Sequence, residues 1–195
     1  VRKMGLIAVS LDEGDRLAWV RLTSGEDQLI VATRQGMAIR FNETDARVLG
    51  RTARGVRALN LEEGDIVVGM VPVMENTTVL TVSENGQGRR TDPAEYRLQS
   101  RGGKGIKNYD TQKNGPVAGV LAVGEEDDVI LISDDGIIIR IPVAEISTQS
   151  RYAGGVRVMR IGEGSRLVSL CRAPHEDEEE AAAESEAPAG AGTPA

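Results

Sequence analysis

The chain is periodic. Placing residues 16–65, 66–115 and 116–165 beneath one another without a gap aligns Gly36 with Gly86 and Gly136, and Arg40 with Arg90 and Arg140. Arg51, Arg101 and Arg151 then align, followed by Gly55, Gly105 and Gly155, and by Arg57, Lys107 and Arg157. Residues 1–15 fit the end of a preceding repeat, with Gly5 under Gly55 and Gly14-Asp15 under Gly64-Asp65, and 166–173 fit the start of another as a closing strand. A repeat of about 50 residues restricts the fold to stacked or radially arranged units, each burying its apolar surface against its neighbours. Cations that recur once per unit form a row along such an array.

The apolar positions are mostly Val, Ile and Leu, and aromatic residues make up only 3%, a bias toward strands. Each repeat reads as four short strands, in the first at 17–22, Gln28–Thr33, 37–41 and 56–61. The second and third are joined at Gln35-Gly36, Asn85-Gly86 or Asp135-Gly136. Asn-Gly and Asp-Gly predict a type I′ hairpin turn, whose two central residues both need positive φ. The following stretch, 42–55 in the first repeat, is long for a compact fold and marks a functional loop. Its start, at 42–45 and at Pro93-Ala94-Glu95, suits one helical turn. The prediction is an all-β, propeller-like array of four-stranded blades. Three whole repeats and two part-repeats are too few for the usual closed ring. An incomplete ring is therefore expected, in a fragment that begins partway through a repeat.

The net charge of -7 hides the distribution behind it. Seven acids and no Lys or Arg lie in 174–195, and without that segment acids and bases balance at 23 each. The segment is rich in Glu, Ala, Pro and Gly, a composition that predicts disorder. Elsewhere basic residues cluster at 47–57, 89–107 and 151–160, while acids gather at 26–27, 62–65 and 125–128. Segregation of this kind produces local fields that the total conceals. One cysteine, Cys171, excludes an internal disulfide framework and suits a reducing cytoplasm. With His175 the lone histidine, the usual zinc ligands are too few. No apolar run approaches the length of a membrane-spanning helix.

No catalytic constellation emerges. A Ser-His-Asp or Cys-His arrangement would have to use His175, at the start of the acidic tail. The recurring cations are the candidate site. Alternation within 37–41 sends Met37, Ile39 and Phe41 to one face and Arg40 to the other. The row Arg40, Arg90 and Arg140 then either meets a ligand or pairs with carboxylates that hold blades together. The loop cations are Arg51, Arg54, Arg57, Arg101, Lys104, Lys107, Arg151 and Arg157. Around Arg101 and Lys104, Gly102 and Gly103 replace the Thr52-Ala53 and Tyr152-Ala153 of the other repeats. Bare glycines expose backbone N–H groups and permit close approach of a phosphate chain. Cationic loops on the rim of a ring suit duplex DNA wrapped around it, bound through phosphates with little base readout. Trp19 and Phe41 read as core, which leaves Tyr96, Tyr109 and Tyr152 as stacking platforms, too few to favour single strands.

These repeats, with Gln-Ser-Arg-Gly-Gly-Lys-Gly at 99–105 and an acidic tail, resemble the C-terminal DNA-wrapping domain of bacterial DNA gyrase A over residues 1–173. Leu22-Thr23-Ser24-Gly25-Glu26-Asp27, Gly64-Asp65 and the run from Arg89 through Thr91-Asp92-Pro93 to Tyr96 are typical of that family. The resemblance implies a β-pinwheel, in which blades share strands, and a position from the end of the third blade through the sixth. Residues 99–105 then resemble a copy of the family's defining seven-residue box, which belongs to the first blade. It further implies right-handed wrapping of double-stranded DNA within a type IIA topoisomerase that negatively supercoils DNA. ATP and Mg would be bound elsewhere, on gyrase B, with no cofactor in this chain. The catalytic tyrosine would belong to another part of gyrase A, matched by none of Tyr96, Tyr109 and Tyr152. The implied partners are the rest of a dimeric gyrase A, and gyrase B in an A2B2 heterotetramer, in the cytoplasm and associated with the nucleoid. The corresponding domain of topoisomerase IV is the near alternative. A protein-binding β-propeller of the regulator-of-chromosome-condensation type has repeats of similar length, but its Trp-Gly and Gly-Gln-Leu-Gly signatures are missing. The tail is expected either to compete with DNA for the basic belt or to act only as a solubilising segment.

Overall fold

The computed structural model describes residues 5–175, which form eleven strands. They are β1 (Gln28–Thr33), β2 (Met37–Asn42), β3 (Val67–Pro72), β4 (Thr78–Ser83), β5 (Gln87–Thr91), β6 (Ile106–Lys107), β7 (Val117–Val123), β8 (Asp127–Ser133), β9 (Ile138–Pro142), β10 (Val156–Arg157) and β11 (Leu167–Pro174). The first sheet has the order β3-β1-β2-β6, the second runs β7-β4-β5-β10, and the third β11-β8-β9, with every named pair antiparallel. A blade is therefore not one repeat. The first two hairpins take both an inner and an outer strand from the repeat that follows, and the third takes its inner strand β11 in the same way, so consecutive repeats are laced together. This strand sharing is the pinwheel arrangement.

The exchange explains where strands fail to form. Lys107 pairs with Met37 and Arg157 with Gln87, each reaching back one repeat. The segment 56–61, predicted as a strand, has no hairpin one repeat earlier among the described residues and is irregular. Segment 17–22 is likewise irregular and exposed. Its counterparts β3, β7 and β11 become strands because each lies against a hairpin one repeat earlier.

The hairpin turns also differ from expectation. Gly36, Gly86 and Gly136 have φ of +87°, +75° and +84°, but Gln35, Asn85 and Asp135 do not have positive φ. The loop is three residues long, with the Gly36 N–H donating to the Thr33 carbonyl at 3.1 Å, a turn closed by a left-handed glycine in place of type I′. The space is needed too. A Cβ on Gly36 would sit 2.5 Å from the Tyr109 carbonyl oxygen, because the chain leaving β6 folds over the turn.

Both faces of the first two hairpins are buried, which is why the alternation is apolar on both sides, whereas β9 of the third hairpin is half-buried to exposed. Leu29, Val31, Ile39 and Phe41 fill one face of the first blade. Ile30, Ala32 and Ala38 fill the other, packing on Val79, Val117 and Val120 of the second. Leu80 and Val82 continue the pattern against Val129, Leu131 and Val143 of the third. Each such fully buried aliphatic side chain contributes about 1.5–3 kcal/mol. An ion pair, Arg34 Nε to Glu84 Oε1 at 2.8 Å, joins the first two repeats. The strands β3, β7 and β11 converge and line a cavity of about 550 Å³ that marks the axis of the array. Gly69 and Gly119 allow that convergence, since a Cβ at either would strike Val120 or Leu170 at 2.5 Å. Strands β6 and β10 lie at the opposite, outer edge of their sheets.

Most of the predicted disordered tail lies outside the described residues. Its first two residues do not: Pro174 ends β11, and His175 Nδ1 lies 2.7 Å from Asp128 Oδ1.

Candidate nucleic-acid interface

After each hairpin the chain makes a single 3-10 turn, at Glu43–Asp45, Pro93–Glu95 and Val143–Glu145, as the sequence suggested. Asp92 caps the second by accepting from the Ala94 N–H at 2.7 Å, the usual function of an aspartate at that position. The chain then crosses the outer rim in a loop that lies on the loop of the preceding repeat. Arg101 donates from Nε to the Asp45 carbonyl at 2.8 Å and from Nη1 to the Arg57 carbonyl at 3.1 Å. Arg151 repeats the second contact one unit later, donating from Nη1 to the Lys107 carbonyl. These two arginines clamp successive loops while staying partly exposed.

The row Arg40, Arg90 and Arg140 is structural. Arg40 donates to Gln28 Oε1 at 2.8 Å and to the Pro93 and Tyr96 carbonyls at 2.6 and 3.2 Å. Arg90, only 5% exposed, donates to the Ile146 carbonyl and to the Glu125 carboxylate. Arg140 binds Asp128 Oδ2 at 2.7 Å and the Pro174 carbonyl at 2.5 Å. Each guanidinium ties its own hairpin to the following repeat, although Arg140 stays exposed while it does so. The hydrogen bond from Arg90 holds the Glu125 carboxyl below its ordinary range. Burial raises the Asp128 carboxyl, and the bonds from His175 and Arg140 more than reverse it.

The third row is the exposed one. Arg57, Lys107 and Arg157 all face solvent. Lys107 and Arg157 stand on β6 and β10, the outermost strands of their blades and the farthest from the axis. Lys107 has a loose partner, Asp110 Oδ1 at 3.6 Å. Arg51 and Lys104 are exposed on the same loops, and Arg54 pairs with the exposed Asp12 at 2.7 Å. Gly102, at φ +83°, donates its N–H to the Ala58 carbonyl at 2.6 Å. That donor is thus engaged, contrary to the expectation of an open phosphate cradle. Gly103 stays uncrowded, with nothing closer than 3.8 Å to a built Cβ. Of the aromatic residues, Phe41, Tyr96 and Tyr109 are buried, Trp19 lines the axial cavity, and Tyr152 projects from the rim.

Sequence reasoning missed Arg89. It is fully buried where the other repeats have Ile39 and Ile139, and that break in an otherwise apolar column was its signal. Among the described residues no cluster of His, Cys, Asp or Glu suits a metal ion, and no helix is long and apolar enough to cross a membrane.

With this geometry in place, comparison with known proteins decides the family. The profile described as "DNA gyrase C-terminal domain, beta-propeller" matches residues 2–24, 27–74, 77–123 and 127–170. The chain belongs to the DNA gyrase C-terminal domain family. Over 57 residues it is 61% identical to the DNA gyrase A protein of Halalkalibacterium halodurans and 54% identical to that of Clostridium acetobutylicum. Each match covers 29% of this chain and 7% of the relative, so the chain corresponds to a small part of those proteins. Among solved structures, a DNA gyrase A C-terminal domain superposes with a TM-score of 0.78 at 30% identity, covering 86% of this chain and 58% of that one. A topoisomerase IV C-terminal domain gives a TM-score of 0.81 at 24% identity, over 91% of this chain and 56% of that one. The latter likeness shows shared fold alone.

Proposed function

We propose that this family member wraps duplex DNA around its outer rim, as a non-catalytic module of a gyrase A protein. One observation carries the reading: Lys107 and Arg157 are exposed on the edge strands opposite the axis, and the exposed Arg57 lies beside the neighbouring rim loop through its carbonyl bond from Arg101, so a curved duplex meets each in turn. Phosphate neutralisation then supplies the affinity, and the bend in the duplex costs on the order of 1–6 kcal/mol, offset along the row. Arg51, Lys104 and the partly exposed Arg101 and Arg151 extend the same surface.

In this reading the repeats through His175 form the wrapping body, and the remaining acidic residues form a tail that tunes wrapping by competing for the belt. The rest of a dimeric gyrase A supplies the catalytic tyrosine. Gyrase B, in an A2B2 assembly associated with the nucleoid, binds and hydrolyses ATP with Mg. The test is topological. Nicked plasmid circles are ligated with the full-length protein bound, then deproteinised and resolved by supercoil. A right-handed wrap traps a positive linking difference that grows with protein. Circles that close relaxed, or with a negative difference, refute it.

A further inference from the structure

The periodic arginines Arg40, Arg90 and Arg140 end in one kind of socket that is filled in two ways. In the first two repeats the guanidinium reaches forward to the carbonyl that closes the next 3-10 turn. Arg40 donates to the Tyr96 carbonyl at 3.2 Å, and Arg90 to the carbonyl of Ile146, the position equivalent to Tyr96. Arg140 donates instead to the Pro174 carbonyl at 2.5 Å, at the end of β11. The end of the inner strand thus accepts the bond that a 3-10 turn accepts elsewhere. The side chain beside the socket changes with it. Residues 28, 78 and 128 align as Gln, Thr and Asp, so the acid occurs only in the third repeat. Gln28 Oε1 accepts from Arg40 Nε at 2.8 Å, and Asp128 Oδ2 accepts from Arg140 Nε at 2.7 Å. The other carboxylate oxygen, Oδ1, lies 2.7 Å from Nδ1 of His175, the one histidine of the chain. An acid and a histidine that the other repeats lack therefore meet at the root of the acidic segment.

The contact responds to protons. Asp128 is 4% exposed, whereas the His175 side chain is 44% exposed and open to exchange with solvent. Burial raises the Asp128 carboxyl, and the bonds from His175 and Arg140 outweigh it. The carboxylate is therefore ionised throughout the range in which an imidazole titrates. Asp127, which pairs with Pro174 in register, holds Arg172 at 3.7 Å, and Glu176 and Asp177 come next in sequence. The Arg140 charge opposes a proton on the imidazole, but Asp128 touches the ring and favours it. A charged donor to a carboxylate is roughly twice as strong as a neutral one, so the neutral ring holds Asp128 more weakly.

We propose that His175, Asp128 and Arg140 form a proton-dependent latch that pins the root of the acidic tail to the third blade. With the imidazole charged, β11 is held to its last residue and the acids begin from a fixed point. With the imidazole neutral, Pro174 and His175 leave the socket more often. Because Asp128 raises the folded midpoint, the latch is complete below the unfolded value and is lost as pH rises through the folded one. The latch is a property of the chain alone. Its effect on duplex binding rests on the reading in which the tail competes for the belt.

The experiment uses the intact 195-residue chain, whose single imidazole gives one NMR titration curve. Its midpoint is expected above the ordinary value of about 6.5 and returns there in Asp128→Asn. Hydrogen exchange of the Arg172, Ala173 and His175 amides, corrected for the intrinsic effect of pH, is the second readout. Linkage ties the two together: each unit by which the midpoint is raised makes opening about tenfold more frequent once the proton is lost. His175→Gln exchanges at the high-pH rate at every pH. A folded chain whose midpoint is not raised overturns the latch. So does a raised midpoint with exchange that stays constant across it, which leaves an electrostatic contact that holds nothing. Should Asp128→Asn not fold, the intact chain and His175→Gln decide by exchange. Duplex affinity at constant salt separates this inference from the reading beneath it. A freed tail that reaches the belt lowers affinity as pH rises through the midpoint, and His175→Gln removes that step. A latch seen by exchange with no step in affinity refutes the tail's competition and leaves the latch standing; a chain that binds no duplex at any pH refutes wrapping alone.

Discussion

Replacing Arg57, Lys107 and Arg157 together by glutamine removes the three exposed cations that recur once per repeat on the rim. If each neutralises one phosphate, the slope of log K against log salt becomes shallower by about 0.9 per residue, or about 2.7 in all. Over the fourfold range from about 50 to 200 mM salt, that is a loss of about 40-fold in salt sensitivity. The 3.6 Å contact of Lys107 with Asp110 hardly discounts this, because both groups are solvated and an exposed pair of that length is weak. The variant should melt normally, since surface substitutions away from packing change stability by no more than about 0.5 kcal/mol. Titrations of labelled duplex at four or five salt concentrations, with melting curves on the same samples, give both quantities. A slope unchanged within experimental error refutes the assignment of this row, whatever the absolute affinity. A slope that changes only because the protein has partly unfolded is recognised from the melting curve.

The internal row should behave in the opposite way. Arg90→Met strands the Ile146 carbonyl inside the protein and should cost about 2–3 kcal/mol by denaturant titration, with the salt slope untouched; Glu125→Gln, on the solvent side of the same pair, should cost far less. The rim glycines should separate by position. Gly105→Ala and Gly155→Ala drive a Cβ into the Ala38 and Gly88 carbonyls, whereas Gly55→Ala meets nothing within 4 Å. All three incur the left-handed penalty of about 1–2 kcal/mol, so Gly105→Ala and Gly155→Ala should lower Tm clearly more than Gly55→Ala. Acid stability should depend on Asp128. Its carboxyl titrates below its ordinary value of 3.8 when folded, so its contribution is complete above that pH and is lost as pH falls through the lower folded value. Asp128→Asn should therefore flatten the acid limb of the stability curve, read as Tm against pH below the ordinary carboxylate range.

What the sequence made legible follows from its period. Turn glycines, hairpin strands and single helical turns are local, and they recur wherever the frame places them. Strand exchange is not local. Shifting a partner by one whole repeat preserves every aligned residue, so periodicity cannot distinguish Lys107 beside Met37 from Lys107 beside its own hairpin. Only the packing of blade on blade decides it. The same ambiguity obscured the arginines. Alternation correctly set Arg40 opposite Ile39, but it implied a solvent-facing row only if one face of the sheet were bare, and both are covered. Glycines at 102 and 103 suggested open N–H groups, yet loop stacking engaged the first. Arg57, Lys107 and Arg157 escaped such recruitment because the outer edge has no further strand to accept their side chains. A row left exposed by the fold's own geometry, with Lys107 only loosely paired to Asp110, is a stronger pointer to an external anion than a row merely repeated in sequence. By that logic the rim, rather than the hairpin arginines, is the surface on which duplex DNA should be sought.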